Sequence, residues 1–385
     1  MNTISANRAM RVRFQHPSLP KLDEVDKYFR AAHEQRWYSN GGPCVESLIQ
    51  RLEDRLGRGL RTLPVASGTA ALLVALRAAI DTYGCRGSGF VAVPSYTFAA
   101  TVRAIDWCNL VPLFVDVDPE HWHLSPDALK GAFTRHGDDI AAVLACSTFG
   151  TPPPIPVVSS WESVCHDAGV PLIVDSAPGF GATDASGQAL GHQGDVEIFS
   201  FHATKPFAIG EGGLIVSADS HLMELMQSLA NFGFGAARIP TALSGINAKM
   251  SEIHAAIALA VLDNFDSIVY ARRTSAERLL TAIHGADITP QANYAGSVWQ
   301  FVPVLAKNEQ HRREVIARAT EQGVEIRTYH MPLHQTPAYT GAMMASELDV
   351  TVDLASRSLS LPMANDLTVG EIGVIADVVR QGKRR

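Results

Sequence analysis

The sequence predicts an α/β protein, with a large unit built on a mainly parallel, doubly covered β-sheet and a smaller α+β unit after it. Three observations carry that reading. Short apolar, β-branched runs recur through the first two thirds of the chain with helix-like stretches between them. Those runs are apolar on both faces, which is what a strand covered by helices on each side requires. Near residue 251 the texture changes to one long helical stretch followed by an alternating segment.

Taken in order, the strand-like runs are "GFVAVPS" near 89, "LVPLFVDVD" near 110, "IAAVLACSTFG" near 140, "PLIVDSA" near 171, "VEIFSF" near 196 and "GGLIVSAD" near 212. Before them, "TAALLVALRAAI" (69 to 80) is rich in Ala and Leu without Gly or Pro, which is helix composition. "TPPPIP" (151 to 156) reads as a stiff loop. From 251, "SEIHAAIALAVLDNFDSIVYARRTSAERLLTAIHG" reads as a long helix and "SVWQFVPVLAKN" as the alternating segment. The division expected is residues 1–250 for the larger unit, including an N-terminal arm, and 251–385 for the linking helix and the smaller unit.

Composition narrows the function classes. With 385 residues, 46% of them hydrophobic and 18% charged, the chain can bury two cores. A net charge of −7 argues against a nucleic-acid partner, which needs a basic face to displace counterions from phosphates. The one dense basic run, the terminal "GKRR", reads as a frayed, solvated end. Five cysteines (Cys44, Cys85, Cys108, Cys146 and Cys165) fall singly with no CxxC pair, and so read as reduced, mostly core residues. The N-terminal "MNTISANRAMRVRF" has no apolar signal core, and no apolar segment is expected to approach the roughly 20 residues that span a bilayer. A cytoplasmic protein with no membrane partner is the expectation.

Three short stretches carry chemistry. In "VASGTAALLVAL" a strand end runs through Ser67, Gly68 and Thr69 into a helix. Such a turn is an ordinary helix cap, or a phosphate seat where unpaired N–H groups meet the positive end of the helix dipole. In "PLIVDSAPGFGA" Asp175 ends a strand, where an open α/β sheet places its ligands or where an aspartate simply forms a turn. In "FSFHATKPFAIGEGG" Ser200, His202 and then Lys205 follow a strand. A lone loop lysine is ordinarily a solvated charge, but at a pocket mouth it can become a Schiff-base nucleophile. Together the three supply what pyridoxal 5′-phosphate needs: an amine for its aldehyde, an acid for its pyridine nitrogen and a cradle for its phosphate.

The order of these strings resembles the DegT/DnrJ/EryC1/StrS family of pyridoxal-phosphate sugar aminotransferases, of fold type I. The resemblance runs from "WYSNGGP" (37 to 43) through "SGTAAL", "PSYTFAAT", "PLFVDVDPE", "VDSAPGFGA", "FSFHATKPFAIGEGG" and "GINAKMSEIHAAIALAVLD" to "YHMPLHQTPAY" and "LSLP". It implies that residues 1–250 bind the cofactor, with Lys205 as the Schiff-base lysine and proton shuttle and Asp175 as the partner of the pyridine nitrogen. It also implies phosphate contacts from Gly68, Thr69 and Ser200, and an aromatic stack from Phe98. Asn247 resembles the asparagine given to the neighbouring subunit's phosphate site, which implies a homodimer with shared active sites. Tyr96, His202, Lys249 and His334 are candidate substrate contacts, and Glu211 in "GEGG" is either a substrate neighbour or a solvated turn residue.

Two departures from the family pattern stand out. Ser176, Ala177 and Pro178 follow the aspartate where the family has "AAQ", so the glutamine that hydrogen-bonds near the cofactor's phenolic oxygen is missing; proline has no donor to replace it. Conversely, Lys205 stands where dehydrating relatives carry histidine, which favours transamination. His330 and His334 do not read as a metal pair, because Pro332 between them opposes a regular helix; the resemblance, through a similar "PLH" loop in the family, implies that their loop faces the substrate. Ser39 and Asn40 either approach the substrate or form a plain turn. The expected activity is amino transfer from L-glutamate to a nucleotide-linked keto-deoxysugar, at C4, in a ping-pong cycle through pyridoxamine phosphate. The alternatives are the same chemistry on a keto-cyclitol or other secondary-metabolite ketone, and a cofactor-binding regulatory protein without turnover.

Overall fold

The structure, a computed structural model, describes residues 10–84, 87–235 and 237–380. The basic C-terminal run and Cys85 lie outside the described residues. The other four cysteines are free and buried, as their isolation in the sequence suggested.

Helices α1 (Leu22–Glu34) and α2 (Pro43–Leu56) come first, and strand β1 (Arg61–Val65) then leads through Ser67 into α3 (Gly68–Tyr83). The pattern continues as β2 (Phe90–Pro94), α4 (Ala99–Trp107), β3 (Val111–Val115), α5 (Pro126–His136), β4 (Ile140–Cys146), α6 (Ile155–Ala168), β5 (Leu172–Asp175), β6 (Val196–Ser200), β7 (Gly213–Ser217) and α7 (Ser220–Leu229). The six expected runs are β2 to β7, and the Ala/Leu-rich stretch lies within α3. The proline-rich loop is shorter than read: α6 already begins at Ile155, with Pro156 in the first turn, where its missing N–H costs nothing.

The rest of the chain forms α8 (Glu252–Ile283), β8 (Ile288–Pro290), β9 (Val302–Ala306), α9 (Glu309–Gln322), β10 (Met343–Met344), α10 (Asp349–Arg357), β11 (Ser358–Leu361) and α11 (Val369–Arg380). The large sheet has the order β1-β7-β6-β5-β4-β2-β3-β10, parallel except for the pairings of β7 with its two neighbours. A second sheet runs β11-β9-β8, antiparallel throughout. The alternation read in "SVWQFVPVLAKN" does not carry into β9, whose five residues are all buried. As the middle strand, packed against α9 and α10, it has no solvent face.

Strand faces divide as a doubly covered sheet demands. Val91, Val93, Leu144, Ile173 and Ile198 face the cluster that includes residues of α3, α4 and α7. Their neighbours Ala92, Val143, Leu172 and Val174 face α5 and α6, while Phe199, Leu214 and Val216 face α2 and α8. A strand buried on both sides has no polar positions to alternate, which is why these runs read as continuous. Val12 and Phe14 pack with the three-stranded sheet, Val12 bridging Val324, while Met343 and Met344 extend the large sheet beside β3.

Helix α8 corrects one expectation. At 32 residues, with a mean hydropathy of 1.3 over its most apolar window, it is long and apolar enough to cross a membrane by length and composition alone. Half of that window is buried within the protein, and α1, α2 and α11 pack along the helix, so its apolar residues serve as core. Its first residue, Glu252, is fully buried and accepts the N–H groups of Gly42 (2.8 Å) and Cys44 (2.7 Å), tying the start of α2 to the start of α8.

Candidate active site

Parallel strands deliver their C-terminal ends to one edge of the sheet, and this is where α/β sheets open a crevice. Here β5 ends in Asp175, β6 in Ser200, β4 in Cys146 followed by Ser147, and β2 in Pro94 followed by the turn Ser95 to Phe98. Helix α3 starts at the same edge. Its N-cap Ser67 is extended, and the Ser67 hydroxyl accepts the Ala70 N–H at 3.1 Å. The first-turn N–H groups of Gly68 and Thr69 have no carbonyl behind them in the helix. These ends enclose a cavity of about 460 Å³, within the range of small-molecule sites.

Of the residues singled out in the sequence, Gly68, Thr69, Tyr96, Phe98, Asp175, Pro178, Ser200, His202, Lys205, Glu211 and His330 all line this cavity. Asp175 is buried, with Thr101 Oγ1 donating to Oδ2 at 2.7 Å and the Ala177 N–H donating to Oδ1 at 3.0 Å. Burial pushes its carboxyl up from the usual range, against the pull of those two hydrogen bonds and of the Lys205 charge. Lys205 Nζ donates to Gln300 Oε1 at 3.2 Å. Burial lowers its amine to about 8, against the opposing attraction of Asp175. At that midpoint about a tenth of the amine is neutral at pH 7, compared with less than about one in a thousand for an ordinary lysine. The site therefore holds a usable nucleophile beside a buried acid.

At the mouth, His202 Nδ1 lies 2.8 Å from Thr204 Oγ1 and His202 Nε2 lies 3.6 Å from Glu211 Oε1. Phe98 is not on a helix face. It is the N-cap of α4, extended, 63% exposed, and its ring stands 6.4 Å from that of His330. Tyr96 is fully buried, its hydroxyl donating to the Tyr329 carbonyl at 3.0 Å, so its polar tip is already engaged by protein.

Other expected contacts fall elsewhere. His334 does not line the cavity: its Nδ1 lies 2.7 Å from Ser95 Oγ and its ring packs near Phe114. His330 occupies the cavity instead, stacked on Phe149 at 5.0 Å, and burial together with the Lys205 charge lowers its imidazole to about 3, which keeps it neutral. Lys249 lies outside the cavity, its amine 4.3 Å above the Phe232 ring. Asn247 is exposed on the surface, bridging Asn231. Ser39 and Asn40 belong to a turn in which the Asn40 carbonyl accepts the Trp37 indole N–H at 2.7 Å.

Thr101, Gln300 and Ser147 were not anticipated. Gln300 had a signal: one amide between two large aromatics, Trp299 and Phe301, just before a buried strand. Thr101 lies three residues after Phe98, one helical turn along the quoted "PSYTFAAT".

Comparison with known proteins agrees with this geometry. A family profile described as the DegT/DnrJ/EryC1/StrS aminotransferase family matches residues 21–380. Protein Rv3402c of Mycobacterium tuberculosis is 34% identical over 379 residues, covering 97% of this chain and 91% of its own length. A crystal structure of a putative PLP-dependent aminotransferase from Bacillus cereus superposes with a TM-score of 0.88 at 29% identity, covering 96% of this chain and 100% of that one. The structure of DesI in the presence of its TDP-sugar product gives a TM-score of 0.86 at 30% identity, covering 97% and 93%. By profile, sequence and fold, the chain belongs to the DegT/DnrJ/EryC1/StrS aminotransferase family, pyridoxal phosphate-dependent enzymes of fold type I.

Proposed function

We propose that this chain transfers an amino group from L-glutamate to the keto carbon of a nucleotide-linked keto-deoxysugar, at C4. The observation that supports the reading is the convergence of a buried lysine with a lowered pKa, a buried carboxyl group and a helix N-terminus on one cavity. The residues present fit pyridoxal phosphate. Gly68 is the clearest case, because a Cβ there would stand 2.8 Å from the Ser200 Cβ, so only glycine leaves the seat between them open. When bound, the cofactor supplies the electrophilic carbon and electron sink that amino transfer requires.

The roles then follow from each side chain. Gly68 and Thr69 offer N–H groups, and Thr69 and Ser200 hydroxyls, to a phosphate. Asp175 offers a negative charge, oriented by Thr101 and Ala177, to a cationic ring nitrogen. Lys205 alternates between neutral amine and ammonium at one point in the cavity, which is what carrying a proton between donor and acceptor carbons demands. Phe98 offers an exposed aromatic face. His202 and Glu211, paired at the mouth, are the polar groups nearest an incoming sugar, and the C4 assignment leans on Glu211.

Sugar-nucleotide specificity draws its support from DesI, whose structure was determined with a TDP-sugar product. Asn247, exposed here, is assigned to the phosphate site of a partner in a two-fold homodimer. The larger unit is read as ending near residue 250, and four buried free thiols accord with a cytoplasmic location.

The test is a two-stage assay of the purified, cofactor-loaded protein. Adding L-glutamate should shift its visible absorption, and adding nucleotide-linked keto-deoxysugars should restore it with formation of the 4-amino sugar, read by mass spectrometry. Turnover of a keto-cyclitol alone would select that substrate class instead, and no spectral response to any amino donor would select a binding protein without turnover. A second expectation concerns the seat itself. Gly68→Ala should cost about 1–3 kcal/mol of stability by overpacking against Ser200, and should weaken cofactor affinity at least tenfold (~1.4 kcal/mol) in a fluorescence titration.

A further inference from the structure

Behind the cavity lies a carboxyl group with no part in the chemistry above. Glu197, on β6, is 1% exposed. Its Oε1 accepts the Ser176 hydroxyl at 2.5 Å, and its Oε2 accepts the N–H groups of Gly191 (2.6 Å) and Gln193 (3.1 Å). Ser176 Oγ lies 2.8 Å from Ser147 Oγ, and Ser147 lines the cavity. An unbroken chain of side chains therefore runs from a buried acid to the cavity wall. The same residues frame Asp175, since Ser176 follows it and the Ser147 N–H donates to its carbonyl at 3.0 Å.

Proton counting gives this chain two states. Each hydroxyl has one proton to donate. When Glu197 is ionised, Ser176 donates to it and Ser147 donates to Ser176, so Ser147 shows the cavity only lone pairs. When Glu197 is protonated, the proton sits on Oε1, because Oε2 already accepts two N–H groups. Glu197 then donates to Ser176, Ser176 donates to Ser147, and the Ser147 O–H is released from Ser176, to be given to a group in the cavity or to Gln193 Oε1, 3.5 Å away. The wall concerned is the one that carries Pro178: a Cβ on Gly150, in the Ser147 turn, would stand 2.8 Å from the Pro178 carbonyl oxygen. Proline offers that wall no side-chain donor of its own.

We propose that Glu197, Ser176 and Ser147 form a proton relay that switches Ser147 between acceptor and donor toward the group bound in the cavity, supplying the polar contact that Pro178 does not. The relay rests on the function proposed above only for the identity of that bound group. Burial pushes Glu197 up to about 7, against the pull of its three hydrogen bonds, so both states are populated near neutrality. Its partners on β5 and β7 are the apolar Val174 and Val216. The neighbouring ionisable groups are engaged elsewhere: Asp175 with Thr101 and Ala177, Asp195 with the Leu172 N–H and the Tyr83 hydroxyl, and His192 with the Leu56 carbonyl.

Infrared difference titration of the full-length protein, with and without pyridoxal phosphate, tests this. A protonated-carboxyl band that is absent from Glu197→Gln should titrate near neutral pH, and its midpoint should shift on cofactor binding, because protonation and binding at the two ends of a relay are reciprocally linked. Ser176→Ala and Ser147→Ala should keep the band and lose the shift. These two variants decide the matter even if Glu197→Gln fails to fold. A midpoint indifferent to the cofactor in the unmodified protein, or a shift that survives Ser176→Ala, overturns the relay. An intact shift in a protein that aminates no keto-sugar overturns the proposed function and leaves the relay standing.

Discussion

Lys205→Met is expected to lower amino transfer by 10³-fold or more while raising the thermal stability of the cofactor-free protein. The activity loss follows from position. Positioned acid–base groups contribute about 10²- to 10⁴-fold, and here one amine also provides the covalent attachment, so the two losses compound. No other lysine lines the cavity among the described residues. The stability gain follows from the same burial that makes the amine reactive. Its midpoint is about 8 in the folded chain against an ordinary value of 10.5, so the folded state binds fewer protons between those two pH values. The cost of burying the charge is therefore felt in full below pH 8, at most about 3 kcal/mol, and fades as pH rises toward 10.5. Methionine keeps the apolar stem and removes the charge. Melting curves of the two cofactor-free proteins should differ at pH 7 and converge near pH 10.5, and a variant with activity within tenfold of the unmodified protein would put the chemistry on another group.

Lys205 and Asp175 were legible because each ends or closely follows a strand that is itself legible. Strands β2 to β7 are buried on both faces, so their apolar runs are continuous and their ends sharp, and a polar residue at such an end stands out. Helix α3 announced itself by composition, and its Ser67 cap by the small residues before it. What periodicity encodes is burial, and burial does not say which polar groups meet. Gln300 reaches Lys205 across a sequence separation of 95 residues, and the Glu197 chain joins residues of three separate strand runs, a meeting that the pattern of no single run specifies.

The histidine loop is instructive for the same reason. The sequence offered His330 and His334 with equal chemistry, and the resemblance favoured the second. The backbone carries His330 into the cavity against Phe149, while the Leu333 N–H and the His334 N–H both bond to Ser95, its carbonyl and its hydroxyl respectively, turning the later ring away. Phe98 shows the opposite case. Motif position identified the residue, yet its exposure became intelligible only once it was seen as the N-cap of α4, outside the helix and free to face the cavity.

Asp175→Asn should separate cofactor binding from turnover. Asparagine keeps the shape: its oxygen can accept the Ala177 N–H while its amide NH2 donates to the Thr101 hydroxyl, which turns to accept, so the phosphate seat at Gly68, Thr69 and Ser200 is untouched and the cofactor should still bind. The negative charge is lost. A unit charge about 4 Å from a cationic partner is worth about 4 kcal/mol at an effective dielectric constant of 20, close to 10³-fold in rate if the partner must stay cationic in the transition state. The raised carboxyl of the cofactor-free protein fits this role: burial penalises its charge until a cation arrives to share the site, and the carboxylate in turn holds that cation protonated. The expected result is a fall in kcat on the order of 10³-fold with a much smaller change in cofactor Kd, read from steady-state rates and a cofactor titration. A variant turning over within tenfold of the unmodified protein would require a different anion. Among the described residues lining the cavity the other carboxylate is Glu211, which is paired with His202 at the mouth, whereas Thr101 and Ala177 orient Asp175 at the end of β5.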